Sequence, residues 1–143
     1  MKLKHRILAF GLLAVSYSVS VFAADVKSVA MRGPATLKEL MTLIVEPTSN
    51  GVFYVASQPP KNDAEWKTLQ GQALTLLEAA NSLTTTNRSK DKKQWMADAK
   101  LLQEASKTAF AAAMAKNITA LADLNDPLYT ACSTCHEHYL PKR

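Results

Sequence analysis

Residues 128–139 read LYTACSTCHEHY, and within them Cys132, Cys135 and His136 follow the order Cys-x-x-Cys-His. Residues at positions i, i+3 and i+4 of an α-helix share one face, so on a helix the two thiols and the imidazole point at the same object. A Cys-x-x-Cys pair of the thioredoxin type requires only the two thiols. The histidine directly after the second cysteine is therefore the informative part of the pattern.

This spacing is the attachment signature of a c-type haem. In such a site two cysteines form thioethers with the porphyrin, and the adjacent imidazole reaches the iron from one side of the ring. We predict one covalent haem c, bound through Cys132 and Cys135, with His136 as the proximal iron ligand.

A disulfide and a zinc site are the other uses that two neighbouring cysteines could have. A redox-active Cys-x-x-Cys pair normally accompanies a βαβ pattern, which this sequence does not show. Zinc would need His138 as a fourth ligand, but on a helix His138 points about 160° away from His136. We interpret His138 as an ordinary surface histidine.

Residues 1–23 are typical of a secretory signal peptide. A basic start is followed by an apolar stretch over residues 7–15 and by Val21-Phe22-Ala23 before the expected cut. We predict cleavage after Ala23, with Ala24 as the near alternative. An uncleaved anchor is the other interpretation, although the apolar run is short for a transmembrane helix.

Export agrees with the haem signature, because covalent attachment belongs outside the cytoplasm, here in a bacterial periplasm.

The formal net charge is +5, and losing three of the 17 basic residues with the signal leaves 14 against 12 acidic residues, or +2, for residues 24–143. No basic run contains interleaved aromatic residues, so we expect no nucleic-acid binding. We also expect no membrane association after cleavage. The basic cluster at residues 88–93 is typical of a solvated loop, with docking to an acidic partner as the alternative.

Apolar residues recur at helical spacing through most of the mature chain and predict four helices. The first follows a capping-box pattern at Thr36–Glu39 and should kink or break at Glu46-Pro47, with a resumed helix or a short strand over residues 52–56. The other three are expected from Asn62 or Asp63 to Leu83, from about Asp91 to Lys116-Asn117, and from an Asn125-Asp126-Pro127 restart to Pro141. Short connections favour an all-α fold, an antiparallel up-down-up-down four-helix bundle with the haem among its helices.

A haem motif so near the C-terminus resembles the class II c-type cytochromes, the cytochrome c-prime family. The continuation His136-Glu137-His138-Tyr139 is similar to that family's His-x-x-aromatic pattern, and residues 40–47 and 66–80 are less specifically similar to its first two helices. The resemblance implies the four-helix bundle and the proximal role of His136. It also implies two branches: electron carriers with a methionine from the first helix on the iron, and gas-binding proteins with an apolar residue there.

Met41 and Met96 are the candidates for the second axial ligand. Each lies about five residues into a helix that starts at the end of the bundle where His136 is expected, so depth alone does not separate them. The resemblance favours Met41 in the first helix. An iron without a methionine ligand is the third option, in which both methionines only fill gaps in the core.

We expect a periplasmic electron carrier with His136 and Met41 on the iron, which docks transiently with periplasmic redox proteins. It should not be an enzyme, because no acid–base pair or nucleophile can be assigned. The alternatives are a five-coordinate cytochrome that binds nitric oxide or carbon monoxide, and a non-haem helical protein that uses its cysteines for a disulfide or a metal. The resemblance leaves a homodimer open.

Overall fold

The computed structural model describes residues 35–85 and 88–140. Within these ranges all regular structure is helical and no strand forms, which confirms the expected all-α class and is compatible with a bundle of four helices. The signal peptide prediction and Pro141 lie outside the described residues. The helices are α1 (Leu37–Leu40), a π-helical turn (Met41–Val45), α2 (Glu46–Phe53), α3 (Asp63–Leu83), α4 (Gln94–Met114), α5 (Ile118–Ala122) and α6 (Asn125–Tyr139).

The first helical run begins at the predicted capping box and passes through its proline. Thr36 Oγ1 accepts a hydrogen bond from Glu39 N at 3.2 Å, and a Glu39 carboxylate oxygen accepts one from Thr36 N at 2.8 Å. Pro47 does not end the helix. Proline has no N–H and its ring crowds the carbonyl four residues earlier, and the helix widens over the π turn just before it, where Glu46 N bonds to Met41 O.

Helices α3 and α4 pack along each other. Trp95 Nε1 donates to Leu83 O at 2.7 Å, which joins the start of α4 to the end of α3. Gln70 Nε2 donates to Ala113 O at 3.1 Å, near the other ends of the same two helices. Helix α4 also packs against α6. It is therefore the central element that places α6 relative to the rest of the core.

Two helix starts differ from prediction. Helix α4 begins at Gln94 rather than near Asp91, because the Asp91 carboxylate caps it from outside, accepting from Gln94 N at 2.7 Å and Trp95 N at 3.2 Å. Helix α6 already includes Asn125, and Leu124 stands at the cap position. The cap expected directly before Pro127 is therefore inside the helix, and the Asn125 Oδ1 atom is buried without a hydrogen-bond partner among the described residues.

Among the described residues no helix is both long enough and apolar enough to cross a membrane.

Replacing Leu76 should strongly destabilise the core. Leu76 lies in the middle of α3 and has no exposed surface, so Leu76→Ala leaves a cavity and should lower the free energy of unfolding by about 2–5 kcal/mol. Leu74→Ala is the matched control on the same helix. Because Leu74 is 42% exposed, this variant should change the free energy of unfolding by less than about 1 kcal/mol. Urea denaturation measures both. Equal losses would mean that the buried face of α3 is wrongly assigned.

Candidate cofactor site

One cavity brings together the four residues that the sequence marks as haem ligands. Met41 from the π turn lines it together with Cys132, Cys135 and His136 from α6. Most of its other walls are apolar: Val45, Leu83, Ala99, Leu102 and Ala131. The remaining lining residue is an acid, Asp98 of α4. The first and last helical runs therefore both contribute residues to this one cavity.

The cavity is small. Its volume is about 40 Å³, room for one or two water molecules. A porphyrin is many times larger, so the lining side chains must separate before one could lie between the π turn and α6. Cys132 and Cys135 are half-buried and His136 is exposed, so solvent reaches part of the α6 residues that line the cavity.

Both cysteines are free thiols in an environment that disfavours their thiolates. Burial raises the pKa of Cys132. Burial also raises the pKa of Cys135 to about 11, with smaller contributions from the negative charges of Asp98 and Cys132. A reactive dithiol needs a lowered pKa because the thiolate is the nucleophile. The surroundings are thus the opposite of those in a Cys-x-x-Cys oxidoreductase.

No group of three or more His, Cys, Asp or Glu side chains able to hold a metal ion occurs within residues 35–85 and 88–140.

The two candidate methionines occupy different surroundings. Met41 is partly buried and packs against the core. Met96 is 38% exposed and does not line the cavity, although the sequence pattern placed it in the buried stripe of its helix. Its neighbour Trp95, 2% exposed, takes the buried position instead. Of the two methionines, only Met41 lines the cavity with the cysteines.

His138 is not the ordinary surface histidine that the sequence suggested. Its Nδ1 lies 2.7 Å from Oδ2 of Asp98, a residue that is only 2% exposed, while the imidazole itself is half-exposed. The interpretation failed because the partner lies 40 residues earlier, on another helix. A signal was present: Asp98 is an acid within the apolar stripe of α4, three residues after Trp95 and directly before Ala99.

The basic loop at residues 88–93 is tied to the C-terminal end of α6, so it is more than a solvated loop. The Tyr139 hydroxyl donates to the Asp91 carboxylate, and the Tyr139 ring packs edge-on against Trp95 with centroids 4.9 Å apart. The Tyr139 hydrogen bond, together with backbone N–H groups at the start of α4, lowers the pKa of Asp91 below its usual value. Asp91 thus caps α4 and anchors α6.

Neutralising Asp91 should lower thermal stability in a pH-dependent way. Its pKa is lower in the folded than in the unfolded chain, so its stabilisation is fully present above the unfolded value, about 3.9, and is lost as pH falls through the folded value. Asp91→Asn should therefore lower Tm at pH 7, and the difference from wild type should shrink below about pH 4. Asp123→Asn, in an exposed turn, is the control. A Tm difference that persists unchanged at pH 3 would show that charge is not the cause.

Comparison of this chain with protein-family models, with curated proteins and with solved structures gave no match. The likeness to class II c-type cytochromes therefore rests on the residues quoted from the sequence.

Proposed function

We propose that this chain is an exported c-type cytochrome of the class II kind, which carries electrons and catalyses no reaction of its own. One haem c would be attached to Cys132 and Cys135, and His136 and Met41 would bind its iron, inside an antiparallel up-down-up-down bundle. The observation that carries the proposal is the shared cavity: residues from the first and last helical runs line it together. Two thiols, an imidazole and a thioether are the donor set that a c-type haem uses, so the residues fit the group.

When bound, the haem supplies a one-electron redox centre, and the chain supplies its attachment and surroundings. Cys132 and Cys135 fix the group to one face of α6. Apolar walls such as Leu83 and Leu102 exclude water, which tunes the potential and limits side reactions. Burial raises the pKa values of the two thiols, which disfavours their reactive thiolate form in the chain before attachment.

The exposed edge of α6 favours transient docking. His136 is exposed, so a partner could approach the group within a short distance of its attachment point. We propose periplasmic redox proteins as partners, and residues 1–23 as the signal that directs the chain there. The mature protein, residues 24–143, would act as a diffusing carrier without nucleic-acid or membrane contacts.

Absorption spectra of the protein purified from a bacterial periplasm, oxidised and reduced, test the proposal. A haem with two axial protein ligands gives low-spin spectra in both states and does not bind carbon monoxide when reduced. A high-spin spectrum with carbon monoxide binding would favour the gas-binding alternative and leave Met41 as a core residue. A purified protein without haem absorption would favour the non-haem alternative.

A further inference from the structure

Asp98 is the one ionisable residue in the described ranges that is classed as buried. It is 2% exposed, and it lines the same cavity as Cys132, Cys135 and His136. The other cavity residues that come from the π turn and α3, Met41, Val45 and Leu83, carry no charge. Asp98 lies on the buried face of α4, whose neighbouring residues Trp95, Ala99 and Leu102 are apolar. Packing alone does not explain an acid at this position.

Both oxygens of the Asp98 carboxylate are held by groups that can donate. Gln94 Nε2 donates to Oδ1 at 2.9 Å, and His138 Nδ1 lies 2.7 Å from Oδ2. These two contacts satisfy the acceptors of a carboxylate that is almost completely removed from water. A buried polar pair of this kind is seldom more stable than well-packed apolar side chains of the same size, so stability alone does not account for it.

We propose that Asp98 fixes a negative electrostatic potential in this cavity and thereby lowers the reduction potential of the group held there. The effect on the reduction potential rests on the proposed function, because it needs a haem. An ionised carboxylate away from water is weakly screened and stabilises the more positively charged, oxidised state of a nearby centre. The negative potential itself does not need a haem, because Asp98 lines the cavity together with both thiols in the haem-free chain.

A redox titration of the haem-loaded protein tests the proposal. Asp98→Asn keeps the shape and removes the charge, so the equilibrium constant for reduction should rise about tenfold or more, which is 59 mV for one electron. Asp98→Glu keeps the charge and should stay closer to wild type. Glu104→Gln removes an acid from an exposed position on the same helix and should leave the potential unchanged. A wild-type potential in folded Asp98→Asn would overturn the proposal.

A second measurement separates failure of this proposal from failure of the haem assignment. If the purified protein carries no haem, its thiols can be alkylated with anionic iodoacetate and with neutral iodoacetamide. Both reagents attack the thiolate, so the ratio of their rates cancels the thiolate fraction and reports the local potential. Asp98→Asn should raise the iodoacetate-to-iodoacetamide ratio severalfold, while Glu104→Gln leaves it unchanged. An unchanged ratio in Asp98→Asn would refute the negative potential whether or not haem binds.

Folding of the variants is checked by circular dichroism, with Asp98→Ser as a second neutral variant. Loss of fold in both neutral variants, with Asp98→Glu folded, would make the acid a structural requirement and would also overturn the proposal.

Discussion

The exported wild-type protein should carry the mass of one haem on the mature chain, and the Cys132→Ala/Cys135→Ala double variant should carry none. The thioethers are the only covalent links that the proposal provides, so each single variant retains at most one. Intact-mass spectrometry and a haem stain after denaturing electrophoresis measure the result. The effect is all-or-none in the double variant, which makes it the largest that we expect.

Ser133→Ala is the matched control for attachment. Ser133 lies between the two cysteines on α6 and does not line the cavity, and its hydroxyl donates to Thr130 O at 3.3 Å within the same helix, so the variant should be loaded like wild type. A wild-type mature chain without added mass would refute the central proposal. The same mass spectra identify the N-terminus. Cleavage after Ala23 leaves Ala24 as the first residue, whereas retention of residues 1–23 would mean that this segment is an uncleaved anchor.

Met41→Ala should open the iron of the loaded protein and lower its potential. A thioether ligand raises the reduction potential relative to most alternatives, and its removal leaves one side of the ring without a protein ligand. We expect wild type to show the weak near-infrared sulfur-to-iron band and Met41→Ala to lose it, to become high-spin and to bind carbon monoxide. The chain should stay folded, because Cys132, Cys135 and His136 still hold the group.

Met96→Ala is the control that distinguishes the two methionines. Met96 is 38% exposed and does not line the cavity, so the band and the potential should remain and stability should change by less than about 1 kcal/mol. If instead Met96→Ala loses the band and Met41→Ala retains it, the ligand comes from α4. A wild-type protein that is already high-spin would favour gas binding over electron transfer as the function.

Local patterns in the sequence predicted where the helices lie along the chain, but they predicted the contacts between helices less well. Helix α3 runs from Asp63 to Leu83 as expected, because its Asn62 cap, which accepts from Glu65 N at 3.0 Å, and its apolar stripe are properties of neighbouring residues. The fate of Pro47 was less predictable. Whether a helix ends at a proline or widens before it depends on the packing on either side.

The candidate site shows the same division. Spacing on one helix predicted that Cys132 and Cys135 face one object, and they do line one cavity. The partners of His138 and Tyr139 lie 40 and 48 residues earlier, and their contacts depend on the register between α4 and α6. No periodicity within one helix contains that register, so the roles of Asp98 and Asp91 emerged only from the folded chain.

The π turn also sets the rotational phase of the first helical run. Leu40 and Val45 are both buried although they are five positions apart, a separation that in a regular α-helix turns the second residue about 140° from the first. The i→i+5 bond from Glu46 N to Met41 O accommodates one extra residue in that turn. A chain shortened by one residue here would lose either the burial of Val45 or the position of Met41 in the cavity wall. The presence of Met41 in the cavity that the cysteines line is therefore linked to one extra residue in the first helical run.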